Sequence, residues 1–446
     1  MKRRELLVSM GGMALAGLAA DGIAVEGKPA KAKAAKVTRS NAATATPALK
    51  QAWDEYHATL EEMRKELEAT PPFQNSPKDR AKAYHTLMEM QAMAYNFAVA
   101  PRMLHPRLYY NLCWQSDSYT LGQNGQDWLY SMAFLDGAQR YKLAGRMGDI
   151  SLMLCQTFNG LFGELGVKTT GNYDWGDFKV DADGRFEAIV SATKEPGNWI
   201  QIDPKVGYQM LFFRRALTDW MGDAGELKIE RISEVADDHY YFDEFDEGAM
   251  AKRIRRATNF IKFVNEQFTI HLYDDYLSHA DGQFNKLTLR PGTSTGQVGS
   301  PSANYAQAIF DLKDDEAVII EMPKVPDGAY WSFQLGDVWS RSLDFANHQS
   351  SMNMREVAVD ADGAIRIVVS INDPGINNWL DTCAHHSGTI VFRNYRSMTA
   401  PVPASRKVKL SEVMDLLPKE TKLMPAAERK QAMDRRRMAL VKRWGE

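Results

Sequence analysis

Asp381 and His385 lie four residues apart in the run Asn378-Trp379-Leu380-Asp381-Thr382-Cys383-Ala384-His385-His386. A carboxylate that close to an imidazole can orient the ring and stabilise its charged form, which makes the two the candidate acid–base pair. The competing reading is a loop histidine satisfied by ordinary hydrogen bonds. His348, in Asp344-Phe345-Ala346-Asn347-His348, could join His385 and Asp381 as a two-histidine, one-carboxylate metal set. No closely spaced His-x-His pair accompanies them, so no residue is assigned to a metal and no cofactor is named. Arg341, Arg355 and Arg393 offer the planar fork that holds a carboxylate or sulfate bidentately. Trp331, Trp339, Tyr330 and Tyr305 could wall an apolar or sugar-stacking cleft, or simply fill the core.

Several common catalytic signatures are missing. The chain has no Gly-x-Ser-x-Gly elbow, no Walker loop and no His-Glu-x-x-His. Gly292, Gly296 and Gly299 are bracketed by Pro291 and Pro301 with no helical pattern after them, so they form a loop and not a dinucleotide fingerprint.

The elements that must position these side chains are announced by an internal duplication. Val180-Asp181-Ala182-Asp183-Gly184 recurs unchanged as Val359-Asp360-Ala361-Asp362-Gly363. Each copy leads into an alternating strand, then Pro-Gly (Pro196-Gly197, Pro374-Gly375), then Asn-Trp (Asn198-Trp199, Asn378-Trp379). Each closes with an apolar strand ending Phe-Arg (Phe213-Arg214, Phe392-Arg393). Asp-x-Asp-Gly is a tight turn in which Asp bonds local backbone and Gly takes positive φ. It also opens a calcium loop, but the later ligands of an EF-hand are missing and a strand follows. The shared Asn-Trp pair reads as structural, with Trp filling a sandwich and Asn holding a turn; Asp381 and His385 occur in the second copy alone. Two such units predict an α+β, mainly β protein: two duplicated antiparallel β-sandwich (jelly-roll-like) units with helical N-terminal, linking and C-terminal segments.

Helical periodicity runs from Pro47 to Ala69, from Lys78 to Ala98, from Phe242 to Leu289 and through Ser411–Arg443. The organisation expected is a signal segment at 1–25, a disordered spacer at 26–48 and a helical segment at 49–108. A first sandwich at 109–235, linking helices at 236–290, a second sandwich at 291–400 and a basic helical tail at 401–446 follow. Met1-Lys2-Arg3-Arg4-Glu5 before a short Gly/Ala-rich apolar run reads as a twin-arginine export signal, with the Tat machinery as a partner and a periplasmic or secreted destination. The first fifty residues carry nine Lys/Arg against three Asp/Glu, and residues 419–446 nine against four, within a chain of net charge -3. The remainder is therefore strongly acidic, which argues against nucleic acid as a partner. The basic tail could pack on that acidic body or touch an anionic membrane surface. Three cysteines, Cys113, Cys155 and Cys383, are too few for a disulfide scaffold.

The second unit resembles the DUF1214 family, bacterial domains of unassigned function often paired with a DUF1254 domain. The likeness is carried by Tyr330-Trp331-Ser332-Phe333-Gln334-Leu335, Asp337-Val338-Trp339, Ser351-Met352-Asn353 and Asp373-Pro374-Gly375-Ile376-Asn377-Asn378-Trp379-Leu380-Asp381-Thr382, with His385, Gly388 and Arg393. The first unit resembles the upstream part of such proteins through Asn124, Asp127, Tyr130 and Arg140-Tyr141-Lys142-Leu143-Ala144-Gly145. The resemblance implies a jelly-roll-like sandwich with helices and no particular reaction. It adds Asp127, Tyr130, Asn378 and Trp379 to Trp331, Trp339, Arg341, His348 and Arg393 as candidate substrate-binding residues. The expected function is an exported enzyme acting on a small apolar, aromatic, steroid-like or glycan substrate, with hydrolase or lyase chemistry ahead of redox chemistry. The alternative is a non-catalytic periplasmic binding or assembly protein.

Overall fold

The repeated Asp-x-Asp-Gly segments fold identically. The Gly184 amide donates to the Asp181 carbonyl at 3.0 Å and the Gly363 amide to the Asp360 carbonyl at 2.9 Å, with φ of +76° and +80° at the two glycines. Glycine alone takes that left-handed conformation without strain. The computed structural model describes residues 44–109, 119–234, 246–291 and 300–444. The residues read from sequence as an export signal, most of the expected spacer, Cys113 and the loop carrying Gly292, Gly296 and Gly299 lie outside the described residues. Residues Ala45–Glu446 make one unit.

Three helices come first: α1 (Pro47–Glu68), α2 (Pro71–Asn75) and α3 (Pro77–Ala94), the last running on into a π-helical turn at Tyr95–Val99. The Thr46 hydroxyl accepts from the Leu49 amide and the Ser76 hydroxyl from the Asp79 amide, each followed by proline at the first helical position. Eight strands follow: β1 (Trp128–Leu135), β2 (Tyr141–Arg146), β3 (Leu152–Phe158), β4 (Thr169–Asp174), β5 (Arg185–Ser191), β6 (Trp199–Gln201), β7 (Gln209–Ala216) and β8 (Glu226–Arg231). They form two sheets, ordered β1-β7-β3-β4 and β6-β5-β2-β8. Next come α4 (Glu247–Val264), a π-helical segment at Asn265–Ile270, α5 (His271–His279) and β9 (Thr288–Pro291).

The second set is β10 (Ala303–Asp311), β11 (Glu316–Met322), β12 (Tyr330–Gly336), β13 (Ser351–Asn353), β14 (Ile365–Ser370), β15 (Trp379–Asp381), β16 (Ser387–Tyr395) and β17 (Ala404–Lys409). Its sheets, β13-β12-β16-β10-β9 and β15-β14-β11-β17, repeat the first set strand for strand, with β9 added at one edge. Even the exception repeats: β6 pairs with β5 and β15 with β14 in parallel, while every other ladder is antiparallel. A short helix, α6 (Val413–Leu416), and the 19-residue α7 (Ala426–Trp444) form the tail. The fold is therefore mainly β with helical flanks, as the duplication implies.

One sequence boundary moves. β17 lies within the stretch read as helical tail, yet it supplies the last strand of the second sandwich by pairing with β11. Its residues are mostly exposed and half of them are basic, the character of a charged edge strand, so composition alone reads it as tail.

Strands β1, β3, β7, β12 and β16 have two buried faces, because their sheets pack on more than their own partners. Leu129, Leu143, Cys155, Phe186, Leu211 and Phe213 meet inside the first sandwich, and Ala308, Val318, Phe333, Val369 and Phe392 inside the second. On the other face of the β1-β7-β3 sheet, Met132, Phe134, Met210 and Phe212 pack against Met63, Met90, Met93, Phe260 and Ile261 of α1, α3 and α4. Further along that face, Trp128, Leu152, Leu154 and Ala216 meet Ala303, Tyr330 and Tyr395 of the second sandwich. Alternation along β7 and β16 thus sends one set of residues into a sandwich and the next set toward the neighbouring sandwich.

The basic helix α7 packs on this body through arginines seven residues apart. Arg429 pairs with Asp373 at 2.6 Å and lies 4.7 Å over the Trp379 ring; Arg436 pairs with Glu356 at 2.7 Å and lies 4.6 Å over Trp220. Arg443 donates to the Gln126 carbonyl at 2.8 Å. Among the described residues no helix is long and apolar enough to cross a membrane.

Candidate functional site

Tyr130 on β1 stands opposite Arg214 on β7, and Tyr305 on β10 stands opposite Arg393 on β16. Arg214 donates to the Gln156 side-chain oxygen on β3, and Arg393 to that of Gln334 on β12. Each repeat therefore builds a Tyr-Arg-Gln triplet at the same strand positions. Both arginines and both tyrosines line a single cavity of about 410 Å³, together with Phe212, Val391, Gln307, Tyr395 and the loop Gly122-Gln123-Asn124. That size suits a ligand of small-molecule dimensions.

The floor of the cavity is cationic. Arg393 is buried, donates its other guanidinium arm to the Gln123 carbonyl, and forms no ion pair with a carboxylate of any described residue. Burial pushes the Tyr130 hydroxyl up to about 12 and raises those of Tyr305 and Tyr395, so these phenols stay protonated near neutrality. The Tyr305 and Tyr395 hydroxyls lie 3.0 Å apart. Three lining atoms, Gln307 Oε1, Arg290 Nε and Ser340 Oγ, are buried without a hydrogen-bond partner among the described residues. A ligand seated in the cavity would give these atoms the partner they lack. The mouth is set by the π-helical segment and α5, which contribute Glu266, Phe268, His271 and Leu272, while Asp275 is held by Arg290. Single π-turns within helices recur at functional sites. The arrangement can hold an anionic head on guanidinium and phenol donors, keep an apolar body on Phe212, Phe268 and Val391, and supply a proton from a neutral phenol.

Of the residues singled out in the sequence, Tyr130, Tyr305 and Arg393 reach this cavity. Arg341 lies beside it, next to the lining residue Ser340, but its Nε is 3.0 Å from the buried carboxylate of Glu89. Arg355 sits on the surface, 4.0 Å from Asp219. Trp331 lies inside the second sandwich and Trp339 in the helix-facing core, its indole donating to the Asp79 carbonyl at 2.9 Å. Trp379 packs on the outer face of the β15-β14-β11-β17 sheet and not inside the sandwich. Asn378 holds the turn: its amide donates to the Ala358 and Arg366 carbonyls at 2.7 and 2.9 Å and its oxygen accepts from the Ala358 amide at 2.8 Å. Asn198 makes the same three bonds to Lys179 and Glu187. Asp127 is buried between the sandwiches, accepting from Trp220, Tyr330 and Asn353.

Asp381 and His385 are not partners. Asp381 Oδ2 is 2.7 Å from His348 Nδ1, whereas His385 Nε2 is 2.6 Å from the Lys82 ammonium, and Lys82 also pairs with Asp337 at 3.0 Å. Burial, reinforced by Lys82, holds the His385 imidazole down at about 4, so it stays neutral and accepts from lysine. The intervening turn explains the separation: Cys383 and Ala384 both take left-handed backbone, with φ of +52° and +57°, and swing His385 away from Asp381. The cluster around Asp381 consists of His348, Asp381 and Cys383. Burial and the neighbouring Asp381 raise the Cys383 thiol.

Sequence reasoning missed Arg214, Gln307, Arg290 and Tyr395. A signal for the first was present, since Phe213-Arg214 and Phe392-Arg393 close the two repeats at the same landmark.

Residues 282–377 match the model of DUF1254, a protein family of unknown function. That span covers well under half of the chain, and the matched family is related to, but not the same as, the DUF1214 domains to which these residues were likened. The structure is similar to the crystal structure of an uncharacterised protein from Burkholderia cenocepacia, with 27% identity and a TM-score of 0.72 over 82% of this chain and 99% of that one. The VPA0106 protein from Vibrio parahaemolyticus aligns over 81% of this chain and 100% of its own, at 15% identity and a TM-score of 0.41. A search of the curated proteins gives no match.

Proposed function

We propose that this chain is an exported protein that takes a small organic anion with an apolar or aromatic body into the cavity between its two sandwiches. The observation that carries this reading is the convergence of Arg214 and Arg393, one from each repeat, on one small-molecule-sized space lined by protonated phenols. The anionic head would lie on the two guanidinium groups and the phenol hydroxyls; Phe212, Phe268 and Val391 would contact the body. The chemistry these groups favour is proton transfer of the lyase or hydrolase kind, with a tyrosine as the acid and the arginines stabilising a developing oxyanion.

A second reading, a binding protein without turnover, is favoured by one observation. Of the lining groups that could serve as a base, Glu266 and His271 are exposed at the mouth and Asp275 is engaged by Arg290. Native mass spectrometry of protein purified from its own envelope fraction, followed by calorimetric titration with benzoate, 4-hydroxyphenylacetate and cholate, tests both. A bound anion, or a probe whose affinity falls about tenfold or more in Arg393→Gln, supports the cavity as the site. Equal affinity in the variant rejects it. Turnover lost in Tyr305→Phe with binding retained separates the enzyme from the binding protein. Recovery of the chain from the cytoplasm with residues 1–25 intact would reject export.

A further inference from the structure

Away from the cavity, at the end of β15, three side chains of different donor type come together. We propose that His348, Asp381 and Cys383 form a site for a zinc-type divalent ion. Their donor atoms all lie within 4.8 Å of one another, and none of the three lines the cavity. The set offers one imidazole nitrogen, one carboxylate oxygen and one thiolate sulfur. Magnesium and calcium prefer all-oxygen sites, whereas a borderline ion such as Zn²⁺ accepts this mixture.

The backbone holds the three in place before any ion arrives. The Cys383 amide donates to Asp381 Oδ1 at 2.7 Å, which leaves Oδ2 facing His348 Nδ1 at 2.7 Å. The Asp381 amide donates to the Gln349 carbonyl at 3.0 Å, and the Gln349 side chain donates to the Asn377 and Trp379 carbonyls at 2.9 and 2.7 Å. The loop bearing His348 is thereby fastened along the strand bearing Asp381. Left-handed backbone at Cys383 and Ala384 folds the chain back, so that Sγ comes within 3.7 Å of the Asp381 carbonyl oxygen. Strain of this kind at two successive non-glycine residues persists where surrounding structure enforces it.

The repeat shows that the fold does not need the trio. Asp381 lies opposite Ser370 as Gln201 lies opposite Ser191, so the first sandwich builds the same strand without the carboxylate. Zinc bonds of about 2.0–2.3 Å at tetrahedral angles put donors about 3.3–3.8 Å apart. His348 and Asp381 would open by roughly half an ångström and the sulfur would close by no more than about 1.5 Å, movements of side-chain scale. His348 is 43% exposed, so an ion can reach the site. On binding, Cys383 releases its thiol proton to solvent, and the proton on His348 Nδ1 leaves that atom for Nε2 as the nitrogen turns its lone pair to the metal. Three protein donors leave a fourth position open to water.

The test uses the full chain, reduced and stripped of metal, titrated with Co²⁺ by absorbance and with Zn²⁺ by calorimetry. One ion per chain is expected, with a thiolate-to-cobalt charge-transfer band. Cys383→Ser, the most conservative of the variants, loses the band and weakens Zn²⁺ about 100-fold or more, and His348→Gln weakens it comparably. Circular dichroism establishes that each variant is folded. His385→Gln leaves binding intact. Absence of the band, or stoichiometric binding that survives Cys383→Ser, overturns the site. Binding that survives His348→Gln but fails in His385→Gln overturns this ligand set in favour of one built on His385.

Discussion

Arg214 and Arg393 occupy the same position in two eight-stranded repeats and line the same cavity. Each faces a tyrosine across its ladder and donates to a glutamine on the strand beyond. Each repeat therefore supplies one of the two arginines that line the cavity. A buried guanidinium is costly unless its donors are satisfied. For Arg393 the partners in hand are a glutamine oxygen and a backbone carbonyl, both uncharged. That leaves a positive charge whose best complement is an anion brought from outside.

Arg393→Gln separates a binding role from a structural one. Affinity for a carboxylate probe is expected to fall by roughly 10- to 100-fold, the worth of a charge-assisted bond or two. Stability in urea is expected to hold or rise slightly, because a buried charge is removed. Unchanged affinity with lost stability would make the residue a core strut. Arg214→Gln should move in the same direction, since it holds the equivalent place.

The paired asparagines give a graded stability prediction. Asn378 is 5% exposed and Asn198 is more open, yet both join a loop to a strand by three matching bonds. Asn378→Ala should cost about 3 kcal/mol and Asn198→Ala about 1 kcal/mol, because buried groups left unsatisfied lose the most. Urea denaturation of the two variants checks the order. Equal costs would show that burial does not set the penalty here.

The duplication was readable because its landmarks are turn and strand residues whose chemistry is local: Asp-x-Asp-Gly, Pro-Gly and Asn-Trp each shape a few neighbouring residues. The site was less readable because it depends on contacts across the chain. His385 is close to Asp381 in sequence, but two left-handed residues between them send it to Lys82, 303 positions away. The tryptophans suggested a cleft wall by size alone, and three sheets and a helix layer consumed them as core. Arg393 was found as a type of residue; that it would meet Arg214 follows only from the way the sandwiches pack.

Glu89 should give the protein an unusual pH response. Its carboxylate accepts from the Leu121 amide at 2.8 Å and from Arg341 Nε at 3.0 Å, with His85 3.9 Å away, but burial outweighs these and raises it above its ordinary 4.5. A carboxyl whose native pKa is raised binds its proton more tightly when folded. Its contribution is therefore full at acid pH and is lost as pH rises through the interval above 4.5. Relative to Glu89→Gln, the native protein should lose stability with rising pH there, at no more than about 1.4 kcal/mol per unit. A relative gain would mean that Arg341 outweighs burial.

Asp127 tests whether a buried carboxylate near the cavity binds ligand or joins the sandwiches. It does not line the cavity; it accepts from Trp220 at 2.6 Å, Asn353 at 2.7 Å and Tyr330 at 2.6 Å. Asp127→Ala strands three donors, two of them from the second sandwich, and should cost about 3–5 kcal/mol. Asp127→Asn should cost less, about 1–3 kcal/mol. Tyr330 lies 2.8 Å from Ser332 and can turn its proton there, so that its oxygen accepts from the new amide. Affinity for a carboxylate probe, measured on the folded fraction at low temperature, should be the same in Asp127→Asn as in the native chain. A tenfold loss of affinity without a loss of stability would place Asp127 in the ligand's path, because a joint between the sandwiches cannot fail in that order.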